Sequence, residues 1–425
     1  MKRQKSILLA LLVITLASCG SSKRAARQQY QPDTAIYTPG GAVSPKTVTP
    51  KPGKKSLTPE QRMGQRVDSL LLTADTLLRT TQLGLHIVDL TTGQVLYAYN
   101  AQHRMRPASS EKMVTAIAAL DRLGPNYQFS TQLLTTAAVA GGTLQGDLYI
   151  KGVLDPLLST ADVRALAAQL KAAGIRKIAG RLIADASFKD ADEYGWGWCW
   201  DDENPVLSPL LVDGKPGLAA ALRTALKNAG ITLSKGVTTG TAPTAARQLT
   251  AIQRPLTAVL QPMMKESDNL CAEAVFYQLK SAQPAQGKHY SRRQAASVIN
   301  EVIGGGASSV ADGSGLSLYN YQTPETFTRL LAYAAARPDS IFNPLLAALP
   351  IAAVDGTLKN RMADTPAAAN VRAKTGSVTA VSTLVGYTTQ RSTGHLIAFA
   401  IMNQGVPSMA QGRNFQNRVC ILLSE

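Results

Sequence analysis

Ser109 and Lys112 stand three residues apart in Met105–Leu120, MRPASSEKMVTAIAAL. A serine hydroxyl becomes a useful nucleophile when a neighbouring base takes its proton, and a desolvated lysine amine can be that base. Residues three apart share one face of a helix. Met113, Ala116, Ile117 and Leu120 recur at helical spacing, which predicts a helix with Ser109 as its N-cap and the Lys112 amine beside the Ser109 hydroxyl. Taken alone this spacing is an ordinary helix start as much as a catalytic pair. Two later pieces add to it: Ser267-Asp268-Asn269 in a helical neighbourhood, and Lys374-Thr375-Gly376 opening a run of strands. Ser-x-x-Lys, Ser-x-Asn and Lys-Thr-Gly each occur once, in that order.

Something must bring these three pieces together across the chain. A helix is predicted in QRMGQRVDSLLLTADTLL, followed by strands LGLHIVDL and QVLYAYN across the turn Thr91-Thr92-Gly93. Between Tyr127 and Leu249 the pattern changes to a small α/β alternation. GDLYIKG and GRLIADAS read as strands, STADVRALAAQLKAAGI and GLAAALRTALKNAGI as helices. Helical spacing returns in PLTAVLQPMMKESDNLCAEAVFYQL. The C-terminal stretch reads as a strand pair in KTGSVTAVSTLVGYTTQ, a strand in GHLIAFAIM and a last helix through Cys420. Strands and helices at both ends with a self-contained middle predict one domain, 59–126 with 250–425, interrupted by an insert at 127–249.

The N-terminus reads as an export signal. Lys2, Arg3 and Lys5 precede the apolar run ILLALLVITLA, and a small-residue site, LASC, ends at Cys19. Leu-Ala-Ser-Cys resembles a bacterial lipobox, which implies a signal peptide at 1–18 and a lipid-modified Cys19, held at a membrane surface by its acyl chains. Residues 19–58, rich in Ser, Pro, Gly, Thr and Lys, read as a tether. The net charge is +16, and residues 1–58 contribute +9 of it, so the excess marks the leader and tether and gives no footprint for nucleic acid. Cys199, Cys271 and Cys420 remain after Cys19, an odd number that leaves at least one thiol free. His86, His103, His289 and His395 are scattered without ligand spacing, so neither a metal nor another cofactor is expected.

With its three motifs in order, the chain resembles the D-alanyl-D-alanine carboxypeptidase/endopeptidase family, low-molecular-mass penicillin-binding proteins with an insert between the first two motifs. The likeness runs from about residue 59 to the C-terminus and includes GDLYIKGVLDPLLS, GWGWCWDD, SDNLCAE, DGSGLS and VDGTLKNRM. It implies an antiparallel sheet flanked by helices, of the serine transpeptidase/β-lactamase type, interrupted by a small α/β insert. It also implies an exported enzyme facing the periplasm, on the inner leaflet of the outer membrane or on the inner membrane, with peptidoglycan stem peptides as substrate and β-lactam antibiotics as inhibitors. Ser109 is then the nucleophile, Lys112 its base, its amine desolvated and its pKa lowered by cations such as Lys374, and Ser267 a relay to the leaving amine. Asn269 holds the donor peptide amide and positions Lys112. Lys374 and Thr375 receive the terminal carboxylate, Gly376 lets substrate backbone lie on the strand, and the N–H groups of Ser109 and Ser377 form an oxyanion hole. Asp155 is expected to meet an amine of the stem peptide or, as readily, to shape the turn before Pro156. Arg361 is expected at an acidic end of the same side chain.

The sequence departs from the family at GVLDP, where a glycine triplet before the aspartate is usual, and at NPVLSPLLVDG. The 158 residues from Ser109 to Ser267 are short for it and favour one insert domain over two. Two other functions fit parts of the pattern. A class A β-lactamase needs Glu-x-x-x-Asn between the second and third motifs, and Glu301 and Glu325 lack that Asn. A class C enzyme needs Tyr-x-Asn where Ser267 stands. A non-catalytic wall-binding lipoprotein has no need of Ser109, Lys112 and Lys374, all present here.

Overall fold

The computed structural model describes residues 58–74, 77, 79–279, 292–305 and 308–425. The expected signal peptide, Cys19 and all but the last residue of the tether lie outside these residues. Gln82–Asp89 and Gln94–Tyr99 join Arg372–Val378, Val381–Thr389 and Leu396–Gln404 in one five-stranded sheet, antiparallel throughout. The strand LIAFAIMNQ is apolar almost without interruption because both of its faces are covered. Ala398, Ala400 and Met402 pack into one core, Ile397, Phe399 and Ile401 into another. The second core is closed by Pro59–Thr73 and Met409–Ser424, through Val67, Phe415 and Val419.

The first core is built around the helix Glu111–Leu123, in which every residue from Glu111 to Leu120 is buried. A helix enclosed on all sides is fixed in position, which suits a group that must be held to a fraction of an ångström. The structure corrects one detail of its start. Ser109 is not an N-cap; it lies in a 3-10 turn, Ala108–Ser110, that feeds the helix, and no side-chain cap bond forms there. The helical pattern after Pro255 also divides, into Leu256–Lys265 and Asn269–Gln278, where Asp268 caps the second helix by accepting the Cys271 N–H at 2.7 Å.

The middle of the chain builds a second five-stranded sheet, ordered Val237–Thr239, Leu182–Asp185, Leu148–Lys151, Gln128–Thr135, Arg247–Pro255. Its first two pairings are parallel and the rest antiparallel. Thr160–Ala172 and Leu218–Asn228 cover it over a core of their own around Leu133, Ile150, Leu166 and Leu222. Ser159 and Asp162 form a capping box at the first of these helices. The outgoing strand continues to Pro255, past the expected boundary at 249, because it pairs along the whole length of Gln128–Thr135. A hydrogen bond from the Leu256 N–H to the Tyr127 carbonyl, 2.8 Å, closes the neck behind the pair. By contacts, the described residues form one compact unit. Among the described residues no helix is long and apolar enough to cross a membrane.

Candidate active site

The edge strand Arg372–Val378 lies against the turn that carries Ser109, and two glycines set how closely. A Cβ on Gly376 would sit 2.5 Å from the Pro107 carbonyl oxygen and 2.8 Å from the Ser110 nitrogen. A Cβ on Gly315 would sit 1.9 Å from the Ala108 carbonyl oxygen, and Gly315 is also at φ +85°. Gly376 was expected to admit substrate backbone. The structure gives it a nearer task, letting the strand pack on the protein's own nucleophile turn. Ser110 and Thr383 fasten the same junction: their hydroxyls are 2.7 Å apart, and Thr383 Oγ1 donates to the Pro107 carbonyl at 2.9 Å.

Within this frame Lys112 Nζ donates to Ser109 Oγ at 2.9 Å, to Asn269 Oδ1 at 2.7 Å and to the Ser314 carbonyl at 2.8 Å. Lys112 is fully buried, and that burial lowers its pKa to about 8 against the pull of Asp312, Glu273 and Asp268. Of the two causes expected, desolvation does the lowering; the charges that act on Lys112 are those of nearby carboxylates, which oppose it. A second lysine repeats the arrangement. Lys374, also 0% exposed, donates to Ser267 Oγ at 2.9 Å and to the Thr375 carbonyl at 2.7 Å. Burial, then the charge of Lys112, holds its pKa well below the usual lysine range. Ser267 itself sits at φ +63°, a strained conformation for a side chain with a Cβ.

Three residues missed as participants support the lysines. Ser314 supplies a carbonyl, and its position is set by Glu273, whose buried Oε1 accepts the N–H groups of Gly313 at 3.1 Å and Ser314 at 2.9 Å. Burial raises the Glu273 pKa to about 8. Asp312 ties the far side of the turn, accepting from the N–H groups of Gly315 and Ser317, from Asn320 Nδ2 and from Trp198 Nε1. SDNLCAE, DGSGLS and GWGWCWDD contain these residues, but only tertiary contact assigns them a task.

Ser109 and Ser267 open together onto a groove whose walls include Thr375, Ser377, Lys359, Arg361 and Arg413, with no carboxylate among its lining residues. Arg361 is thus where an acidic group could reach it. Its Nε donates to Asn417 Oδ1 and one Nη to Gln416 Oε1, and burial, with the Arg413 charge, lowers its pKa to about 10. Asp155 is not among the lining residues. It is 2% exposed, accepts the Leu157 N–H at 2.9 Å through Oδ1 and lies 3.6 Å from Arg254 Nε through Oδ2. Of its two expected roles this geometry is that of the turn: Oδ1 takes the Leu157 N–H, and Oδ2 is buried beside Arg254 without a hydrogen bond. Asp155→Ala is therefore expected to lower the midpoint of thermal unfolding, by the loss of a hydrogen bond to a charged group of about 1.5–3 kcal/mol. Hydrolysis of peptides with and without a side-chain amine should change in equal proportion. A selective loss on the amine-bearing peptide would restore the substrate role.

The chain matches the D-Ala-D-Ala carboxypeptidase 3 (S13) family over residues 64–213 and 212–425. It belongs to that family. A carboxypeptidase of Mycobacterium tuberculosis is 33% identical over 77% of this chain and 77% of its own, and a D-alanyl-D-alanine carboxypeptidase of Haemophilus influenzae is 28% identical over 75% of this chain and 84% of its own. The crystal structure of penicillin-binding protein 4 from Haemophilus influenzae superposes with a TM-score of 0.74 at 25% identity, covering 83% of this chain and 99% of that one. The same protein has been solved in complex with a β-lactam. The present chain is a low-molecular-mass penicillin-binding protein, a serine-type D-Ala-D-Ala carboxypeptidase with the mixed α/β fold of its relatives.

Proposed function

We propose that Ser109 attacks the carbonyl between two D-alanines and that Lys112 is the base that deprotonates it. The observation that carries this reading is the buried Lys112 amine 2.9 Å from Ser109 Oγ, with a pKa near working pH. The attack forms a tetrahedral intermediate whose oxyanion meets the N–H groups of Ser109 and Ser377. Ser267 then passes its hydroxyl proton to the leaving amine and is restored by the proton that Lys112 took from Ser109. Lys374 donates to Ser267 Oγ, so the hydroxyl hydrogen stays free to face that amine. The C–N bond breaks, leaving an ester on Ser109, and water hydrolyses it. Asn269 holds Lys112 and offers its amide N–H to the donor peptide. A β-lactam, carrying the same reactive amide in a ring, acylates the same serine.

The groove lining contains no carboxylate that could activate water against a penicilloyl ester. Glu325 lines a different recess, with His86 and His103. The adduct is therefore expected to persist for minutes or longer, measured by intact mass after removal of free penicillin. Rapid multiple turnover of a chromogenic β-lactam would establish the β-lactamase reading instead.

The same reading extends to the rest of the chain. Residues 128–255, with a sheet and core of their own, are an insert into the catalytic domain, and crosslinked stem peptides are cut as well as terminal D-alanine. LASC supports reading the protein as an exported lipoprotein anchored through Cys19. A fatty-acid analogue fed to cells should label the protein and fail to label Cys19→Ser. Equal labelling of both would refute the anchor.

A further inference from the structure

Lys374 is the cation expected at the substrate's terminal carboxylate, yet its ammonium is not available there. It is fully buried, and two of its three donors are engaged, by Ser267 Oγ and the Thr375 carbonyl. Thr375 and Ser377 do line the groove, but as neutral hydroxyls they leave a carboxylate's charge unanswered. A carboxylate drawn out of water needs a countercharge or a set of charge-assisted hydrogen bonds.

The groove carries three other cations, and they are not equivalent. The Arg361 guanidinium is held by Asn417 and Gln416 and is largely used in supporting the wall. Lys359 is exposed and lines the groove alone. Arg413, in the helix Met409–Ser424, is exposed, lines the groove and also lines the adjoining recess formed with Ser377, Val378 and Met409. It thus borders Ser377 in both cavities. Its charge also acts on Arg361, whose Nη2 donates to the Arg413 carbonyl at 3.4 Å, and no acidic residue stands in either lining. Such uncompensated positive charge is an anion site, and the planar fork of an arginine matches a carboxylate through two parallel hydrogen bonds.

We infer that Arg413 is the substrate-binding countercharge for the carboxylate on the leaving residue, working with the Thr375 and Ser377 hydroxyls, while Lys374 serves the Ser267 relay from inside the protein. This rests on the acyl-enzyme reading above and assigns a specificity residue to it. The relevant class of ligand is a peptide or β-lactam with a free carboxylate next to the scissile amide.

The test compares benzylpenicillin with its methyl ester on the full chain, reading second-order acylation of Ser109 by intact mass. The wild type should prefer the free acid, and Arg413→Ala should lose tenfold or more on the acid while changing little on the ester, so that the preference collapses. Arg413→Lys should recover part of it, and Lys359→Ala should keep most of it. A preference unchanged in Arg413→Ala, an equal loss on acid and ester, or a collapse in Lys359→Ala would each overturn the assignment. Absence of any adduct on the wild type would overturn the Ser109 reading, and with it this inference; an adduct with an unaltered preference overturns this inference alone.

Discussion

Replacing Ser109 with alanine is expected to abolish covalent labelling by a fluorescent penicillin, and Lys112→Ala to slow it by a factor of about a thousand or more, the scale of a lost general base together with a disturbed site. Lys112 Nζ has three hydrogen-bond partners, and only Ser109 Oγ among them carries a proton to give. The pH dependence follows from the same group. Lys112 acts as a base only when neutral, and with a pKa of about 8 its neutral fraction falls about tenfold for each pH unit below that value. Acylation should therefore rise with pH through the neutral range and level off above about 8, whereas an unperturbed lysine would keep it rising to about 10.4. Labelling of Ser109→Ala at the wild-type rate, or a flat profile from pH 6 to 9, would refute the assignment.

Gly315→Ala should be nearly as damaging without removing any functional group. The added methyl has no room beside the Ala108 carbonyl, and the backbone there is left-handed, so clash and strain fall on the same residue. The turn that holds the Ser314 carbonyl at Lys112 must then part from the turn that holds Ser109. A loss of about 3 kcal/mol in stability and at least a hundredfold in acylation rate is the expected result, measured by denaturant unfolding and by labelling at saturating penicillin. Retained acylation in a destabilised protein would show that the contact supports the fold but not the geometry of attack.

The three motifs and most elements were legible because they are local. Periodicity marks helices and strands directly, and Ser159 with Asp162 announces a helix start within four residues. What escaped sequence reasoning depends on packing. SSEK put the first serine beside the lysine, but nothing in it says that the second faces a threonine on a strand 273 residues away. Nothing in Lys-Thr-Gly says that the lysine turns inward to Ser267, which leaves the outward cation to come from another helix. GVLDP showed a turn and an aspartate, but that the aspartate is buried beside Arg254, far along the chain, is visible only in the fold.

The neck of the middle segment carries an evolutionary consequence. Its two strands enter and leave side by side, and the Tyr127 carbonyl and Leu256 N–H meet directly behind them. Beyond that clasp the segment has a core of its own, yet it also reaches back: Leu154, Phe188, Leu207 and Leu211 pack into the core around Glu111–Leu123, and Trp198 Nε1 donates to Asp312. Selection on this segment is thus of two kinds: its far core is free to drift, while the residues that touch the Asp312 turn are bound to the seryl chemistry.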